Sequence, residues 1–235
     1  MIKKKILRRV EAIELSGARV PSIMLRPDSD APVPGVLLLH GYSSTKERLS
    51  NTMGRSLATR GIASLAIDLP LHGARDDAMM DEARSNPLGM IKHWKTAVAE
   101  AKDAIEWLAG NDVIDPECIG VAGYSLGSYV ALQAAAADKR VKCVIVAAGG
   151  DLPESPWTGM MRMVANPLSS AKSLKGRPLL MLHGKNDRTI RPEQAQRLYD
   201  AASEPKKIKW YDSGHALPAA SADDAAKWLA GQFGV

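Results

Sequence analysis

Val121-Ala122-Gly123-Tyr124-Ser125-Leu126-Gly127 is the stretch on which the reading of this chain turns. A short apolar run, Cys118 to Ala122, precedes it. Leu126 to Lys139, rich in Ala and Leu, follows it and reads as a helix. A strand, a sharp turn and a helix thus meet at Ser125, the context in which Gly-x-Ser-x-Gly carries chemistry. Backbone must pass too close at such a turn for a Cβ at Gly123 or Gly127. The turn lifts the Ser125 hydroxyl above a sheet. It also sets the Leu126 N–H at a helix N-terminus, where unpaired donors and the helix dipole favour a developing negative charge. Taken alone, the pattern also fits a serine in a glycine-rich turn that does no chemistry, so its surroundings must decide.

Working outward, residues 4–14 and 18–26 alternate loosely about Ser16-Gly17 and read as an antiparallel hairpin. Val33 to Leu39 is a continuous apolar run, as expected of a strand buried on both faces. Helices are expected over 47–60, closed by Gly61, and over 90–109, where Ile91, Trp94, Val98, Ile105 and Leu108 keep helical spacing. Further strands are expected over 62–67, 141–147, 178–182 and 207–211, with helices over 192–202 and 218–233. Such alternation implies a mostly parallel sheet covered on both faces, and no internal repeat or linker divides the chain. One domain over 1–235 is expected. Excursions at about 69–90 and 149–173 are expected to lie over the carboxyl ends of the strands, where sheets of this kind place their ligands.

The chain's 235 residues are enough for a sizeable core, and the net charge of +5 is only modestly basic. Lys and Arg are interspersed with Asp and Glu, so no stripe for nucleic acid emerges. Cys118 and Cys143 fall in expected buried strands and read as core thiols; no metal-ligand spacing links the His and Cys residues. The basic start, Met1 to Arg9, lacks a following apolar segment, and no run approaches a membrane span. A cytoplasmic protein without metal or cofactor is the expectation.

A serine hydroxyl needs a base, and five histidines compete for the role. His40 and His183 each end a strand just before Gly and are better suited to fixing loop geometry. His72 sits in a Pro-x-His-Gly turn, and His93 lies on a helix beside Trp94. His215, in Asp212-Ser213-Gly214-His215, lies in a loop between the last strand and the last helix, from which an imidazole can swing over Ser125. A base must be held in one tautomer by an acceptor. Asp187 leaves the sheet just after strand 178–182 and is the expected partner; Asp151 and Asp212 are the rivals. Two donors must face the oxyanion. The N–H of Leu126 is one, and the N–H of Tyr42, in the loop after strand 33–39, is the natural second.

The order Ser125, Asp187, His215, with His40-Gly41 and Gly123-x-Ser125-x-Gly127, resembles the α/β-hydrolases over nearly the full length. Asp68-x-Pro70-x-His72-Gly73 and His183-Gly184-x-x-Asp187 further resemble the dienelactone-hydrolase and prolyl-oligopeptidase-like esterase branches. The resemblance implies an eight-stranded, mostly parallel sheet with helices on both faces, and a serine hydrolase mechanism. Dienelactone hydrolases proper use Cys where this chain has Ser125, and the lipase branch has Gly where it has Tyr42.

These readings converge on a serine carboxylesterase acting on small-molecule esters of short or medium acyl chain. Two rivals stand beside it: a small serine peptidase of the same fold, and a non-catalytic ligand-binding protein that keeps the fold. Met79, Met80, Trp157, Met160 and Met161, with Met90 and Met163 nearby, are expected to wall an adaptable apolar pocket.

Overall fold

The computed structural model describes residues 5–75, 87–154, 159 and 161–235. Eight strands form one sheet: β1 (Ile6–Leu15), β2 (Ala18–Pro27), β3 (Val33–Leu39), β4 (Ala63–Ile67), β5 (Ile114–Tyr124), β6 (Val141–Ala147), β7 (Leu179–Gly184) and β8 (Lys206–Tyr211). Their spatial order is β1-β2-β4-β3-β5-β6-β7-β8. β1, β2 and β4 pair antiparallel, whereas β4, β3 and β5 through β8 run parallel. This is the α/β-hydrolase fold that the motifs imply.

The hairpin closes through Ser16 and Gly17, both at positive φ, the geometry of a two-residue turn that matches strand twist. β3 is buried at every position. Leu37 and Leu39 enter the core beneath helices Pro87–Ala109 and Leu126–Ala137, while Val36 and Leu38 enter the core beneath helix Ala220–Phe233. Helices cover both faces, so the period-two alternation of a strand appears in sequence as an unbroken apolar run.

Three differences from expectation go beyond a few residues at an element's end. β5 starts at Ile114, earlier than its apolar run at 118–122. The helix expected over 47–60 is α-helical over Lys46–Leu49, π-helical over Ser50–Gly54 and α-helical again over Arg55–Ala58. The excursion after β6 contains a short helix, Pro167–Lys172, whose N-cap Asn166 accepts from the Ser169 N–H. Its polar composition hides it from periodicity. Both cysteines are free thiols; burial pushes Cys143 up to about 12.

Strain concentrates at one edge. Ser43, Leu71, Ser125 and Ala148, non-glycine residues in the loops after β3, β4, β5 and β6, all have positive φ. Residues held this way cost about 1–3 kcal/mol each and persist only where the surroundings over-determine them. The carboxyl edge of the sheet is that place.

Candidate active site

Ser125 leaves β5 with φ 49° and ψ −113° and caps helix Leu126–Ala137. Its N–H donates to the Ala147 carbonyl at the end of β6, while its carbonyl accepts from Ser128 N–H at 2.9 Å and from Ser128 Oγ at 2.6 Å. The two motif glycines are required by contact. A Cβ on Gly123 would lie 2.2 Å from the Gly127 carbonyl oxygen, and one on Gly127 would lie 2.0 Å from the Leu39 carbonyl oxygen. The Leu126 N–H is the first of the helix, so it has no intrahelical acceptor.

His215 reaches Ser125 from the loop after β8. Its Nε2 lies 3.0 Å from Ser125 Oγ, and its Nδ1 lies 2.8 Å from Asp187 Oδ2. A carboxylate only accepts, so Nδ1 carries the proton and Nε2 is left to accept from the serine hydroxyl. Asp187 is sealed from solvent, while the His215 side chain is 28% exposed. The other Asp187 oxygen accepts from the N–H groups of Thr189 and Ile190 at 2.8 and 3.0 Å. These backbone donors fix the aim of the carboxylate.

The loops carrying His215 and Asp187 are laced together. Asn186 N–H donates to the Ser213 carbonyl, and Lys185 N–H to the Tyr211 carbonyl. The approach is so close that a Cβ on Gly184 would sit 2.2 Å from the Gly214 oxygen. Tyr124 adds a link that sequence reading missed: its hydroxyl donates to the His215 carbonyl and accepts from Leu217 N–H. It thereby ties the loop after β8 to the strand that leads into Ser125.

The rival acids are engaged elsewhere. Asp151 pairs with Arg162 at 2.8 Å and Arg197 at 3.1 Å, which hold its carboxyl below the usual range despite burial. Asp212 accepts from Asn186. The other edge histidines hold loops, as expected. His183 donates from Nε2 to the Ile190 carbonyl, and burial lowers its pKa. His40 is described with its own partners below. His72 stacks edge-on against Tyr42, with ring centroids 5.3 Å apart.

Tyr42 follows Gly41, where a Cβ would come 3.3 Å from Ser125 Cβ, so the loop after β3 abuts Ser125. Ser125, His215, Tyr42 and Tyr124 open on a cleft of about 390 Å³. A smaller apolar cavity of about 80 Å³ lies along Tyr42 and Leu126, walled by Leu69, Met90, Trp94 and Val130.

The expected methionine wall needs correction. Met161 is buried among the core residues and lines neither cavity. Met163 is 85% exposed. Met79, Met80, Trp157 and Met160 lie outside the described residues. Of the named methionines that are described, Met90 alone borders one of these two cavities. Among the described residues, no His, Cys, Asp and Glu cluster is arranged to hold a metal, and no helix is long and apolar enough to cross a membrane.

The chain is 30% identical over 141 residues to the polyketide transferase ATR5 of Stachybotrys chlorohalonatus, a match covering 60% of this chain and 42% of that protein. The chain thus spans about two fifths of that relative's length. It is 26% identical to the esterase YjfP of Escherichia coli, over 85% of this chain and 87% of that one. A cold-adapted esterase from an Arctic intertidal metagenomic library superposes with a TM-score of 0.79 at 21% identity, covering 99% of this chain and 96% of the other. The sequence pattern of the dienelactone hydrolase family matches residues 20–230, from the second strand of the sheet to the closing helix, and by that match the chain belongs to the dienelactone hydrolase family of hydrolases.

Proposed function

We propose that the chain is a serine carboxylesterase in which Ser125, His215 and Asp187 act as one catalytic unit. The observation that carries this reading is the chain of contacts from Ser125 Oγ to His215 Nε2 at 3.0 Å and from His215 Nδ1 to Asp187 Oδ2 at 2.8 Å, opening on a cleft. Ser125 Oγ attacks the ester carbonyl as His215 Nε2 takes its proton. The N–H groups of Leu126 and Tyr42 stabilise the tetrahedral oxyanion. His215 then gives the proton to the departing alkoxide, leaving Ser125 acylated. Water attacks the acyl-enzyme with His215 again as base; the acid leaves and Ser125 regains its proton. No step needs a metal or cofactor.

The small apolar cavity along Leu126 favours short or medium acyl chains. Each methylene buried there contributes about 0.8 kcal/mol until the space is full. A fluorophosphonate probe is expected to label Ser125, and p-nitrophenyl esters from acetate to palmitate are expected to be cleaved with a peak at short or medium length. Peak activity on palmitate would overturn the acyl preference. Absence of both labelling and hydrolysis would overturn the esterase reading.

A further inference from the structure

His215 stands in a loop that few main-chain bonds hold. Before it, the loop is fastened at Ser213, whose carbonyl accepts from Asn186 N–H and whose N–H donates to the Tyr211 carbonyl. After it, the chain is next fastened at Pro218, whose carbonyl accepts from Ser221 N–H. Between these points, among the described residues, the main chain of His215 to Leu217 hydrogen-bonds only to the Tyr124 hydroxyl. That hydroxyl donates to the His215 carbonyl and accepts from Leu217 N–H, so one side chain clamps both sides of Ala216.

The Tyr124 ring meets the same histidine. It stands edge-on to the imidazole, with centroids 6.0 Å apart and planes at 73°. Asp187 grips the imidazole at Nδ1, and a ring held at one atom can still pivot about that bond. Solvent does not confine it, because the His215 side chain is 28% exposed. A clamped main chain and an aromatic wall remove the remaining freedom. Tyr124 directly precedes Ser125, and its own main chain is set in β5 opposite Ala147 of β6. The nucleophile and the anchor of its base are therefore neighbours at one strand end. Burial raises the Tyr124 pKa, against the effect of Leu217 N–H, so the hydroxyl keeps the proton it donates.

Resting on the esterase reading above, we propose that Tyr124 is a positioning residue whose hydroxyl and ring hold His215 in register with Ser125. It acts through His215 rather than on the ester. It fixes where Nε2 stands when it takes the Ser125 proton and when it passes that proton to the departing alkoxide. A misplacement of about 1 Å at such a step costs up to about a hundredfold.

Tyr124→Phe keeps the ring and removes the hydroxyl. The test compares kcat/KM on 4-nitrophenyl acetate and on ethyl acetate, counted per site that fluorophosphonate labels at completion. 4-Nitrophenoxide departs unaided, whereas ethoxide needs the proton from Nε2. Tyr124→Phe is expected to lose about tenfold on the nitrophenyl ester and about a hundredfold on the ethyl ester. Replacing Tyr124 by 4-aminophenylalanine, which restores a donor to the His215 carbonyl, should recover part of the larger loss. A role confined to folding would lower both esters alike, or lower only the number of labelled sites. Equal losses, wild-type rates, or a Tyr124→Phe chain that yields no folded protein overturn the proposal while the esterase reading stands. A wild type that cleaves only the nitrophenyl ester overturns it too, since the base would then not serve the leaving group. If wild type cleaves neither ester and Ser125 resists the probe, the esterase reading falls and the proposal with it.

Discussion

Of the histidines that lie beside a buried aspartate at the carboxyl edge, His215 and His40 make the plainest contrast, and only the first is arranged for proton transfer. His215 Nδ1 meets Asp187 at 2.8 Å, which leaves Nε2 facing Ser125 and the cleft. His40 Nε2 lies 3.8 Å from Asp68, in a pocket where both side chains are essentially sealed. His40 Nδ1 donates to the Gly41 carbonyl and Nε2 accepts from Leu69 N–H, so both ring nitrogens are spent on backbone. Asp68 is spent too: it accepts from Lys46 N–H, from Lys46 Nζ at 2.7 Å and from Ala74 N–H. Although burial works against it, this pairing with Asp68 and Glu47 raises the Lys46 pKa. The second pair is a knot that ties the loop after β3 to the loop after β4, and so fixes Gly41 and Tyr42 beside Ser125. Nearness of His to Asp therefore does not make a catalytic couple; what holds the remaining ring nitrogen decides.

The sharpest way to break this contrast is to neutralise each aspartate. Asp187→Asn keeps an oxygen for Thr189 and Ile190 but turns an N–H toward His215 Nδ1. The ring must then carry its proton on Nε2, where it cannot accept from Ser125. Turnover is expected to fall by about four orders of magnitude, with little change in unfolding midpoint. Steady-state kinetics beside urea melts measure both. An Asp187→Asn enzyme that keeps its activity while Asp151→Asn loses it would move the acid to the loop after β6.

Asp68→Asn should show the reverse pattern. It strips the buried Lys46 ammonium of its main partner, a change that costs about 3 kcal/mol. Turnover per folded molecule should fall far less than in Asp187→Asn. A stable Asp68→Asn protein with turnover as low as Asp187→Asn would place Asp68 in the chemistry and erase the distinction drawn here.

The smallest effect separates the histidines by pH. Burial, aided by the nearby His72 and Lys46 charges, lowers His40 from 6.5 to about 4, against the pull of Gly41 and Asp68. Between those values the unfolded chain binds a proton that the folded protein refuses, so stability rises with pH across this window and is lost as pH falls toward 4. His40 should account for about 2 kcal/mol of lost stability between pH 7 and 4.5. His183, also lowered by burial, adds in the same direction. Urea unfolding of His40→Gln over this range should show a shallower slope than wild type. An equally steep slope would mean that the acid sensitivity resides elsewhere.

Positions that local chain geometry fixes were legible in the sequence. Gly123, Ser125 and Gly127 declare a strained turn because only glycine tolerates the contacts that flank it. Asp187 and His215 follow strands whose apolar runs are unmistakable, and a parallel sheet delivers every strand end to one edge. Tyr124 was in view as part of the motif, but nothing in its type or spacing indicates that its hydroxyl spans 91 residues to bind the His215 loop.

The pocket was the least legible part, for a physical reason. Met161 and Met163 are two residues apart, yet one is in the core and the other is 85% exposed. Methionine has no periodic or steric signature that separates filling a core from lining a cleft. Arg48 gives no sign in sequence either, because it enters the cleft through the pitch of a helix that turns π-helical just beyond it. The sequence by itself determined the fold class, the strained turn at Ser125 and the strand ends from which Asp187 and His215 emerge, since these follow from backbone sterics and hydrophobic period. Only the tertiary structure decided which aspartate serves which histidine and which side chains face the cleft. Those outcomes depend on how segments far apart in the chain compete for the same few donors and the same space.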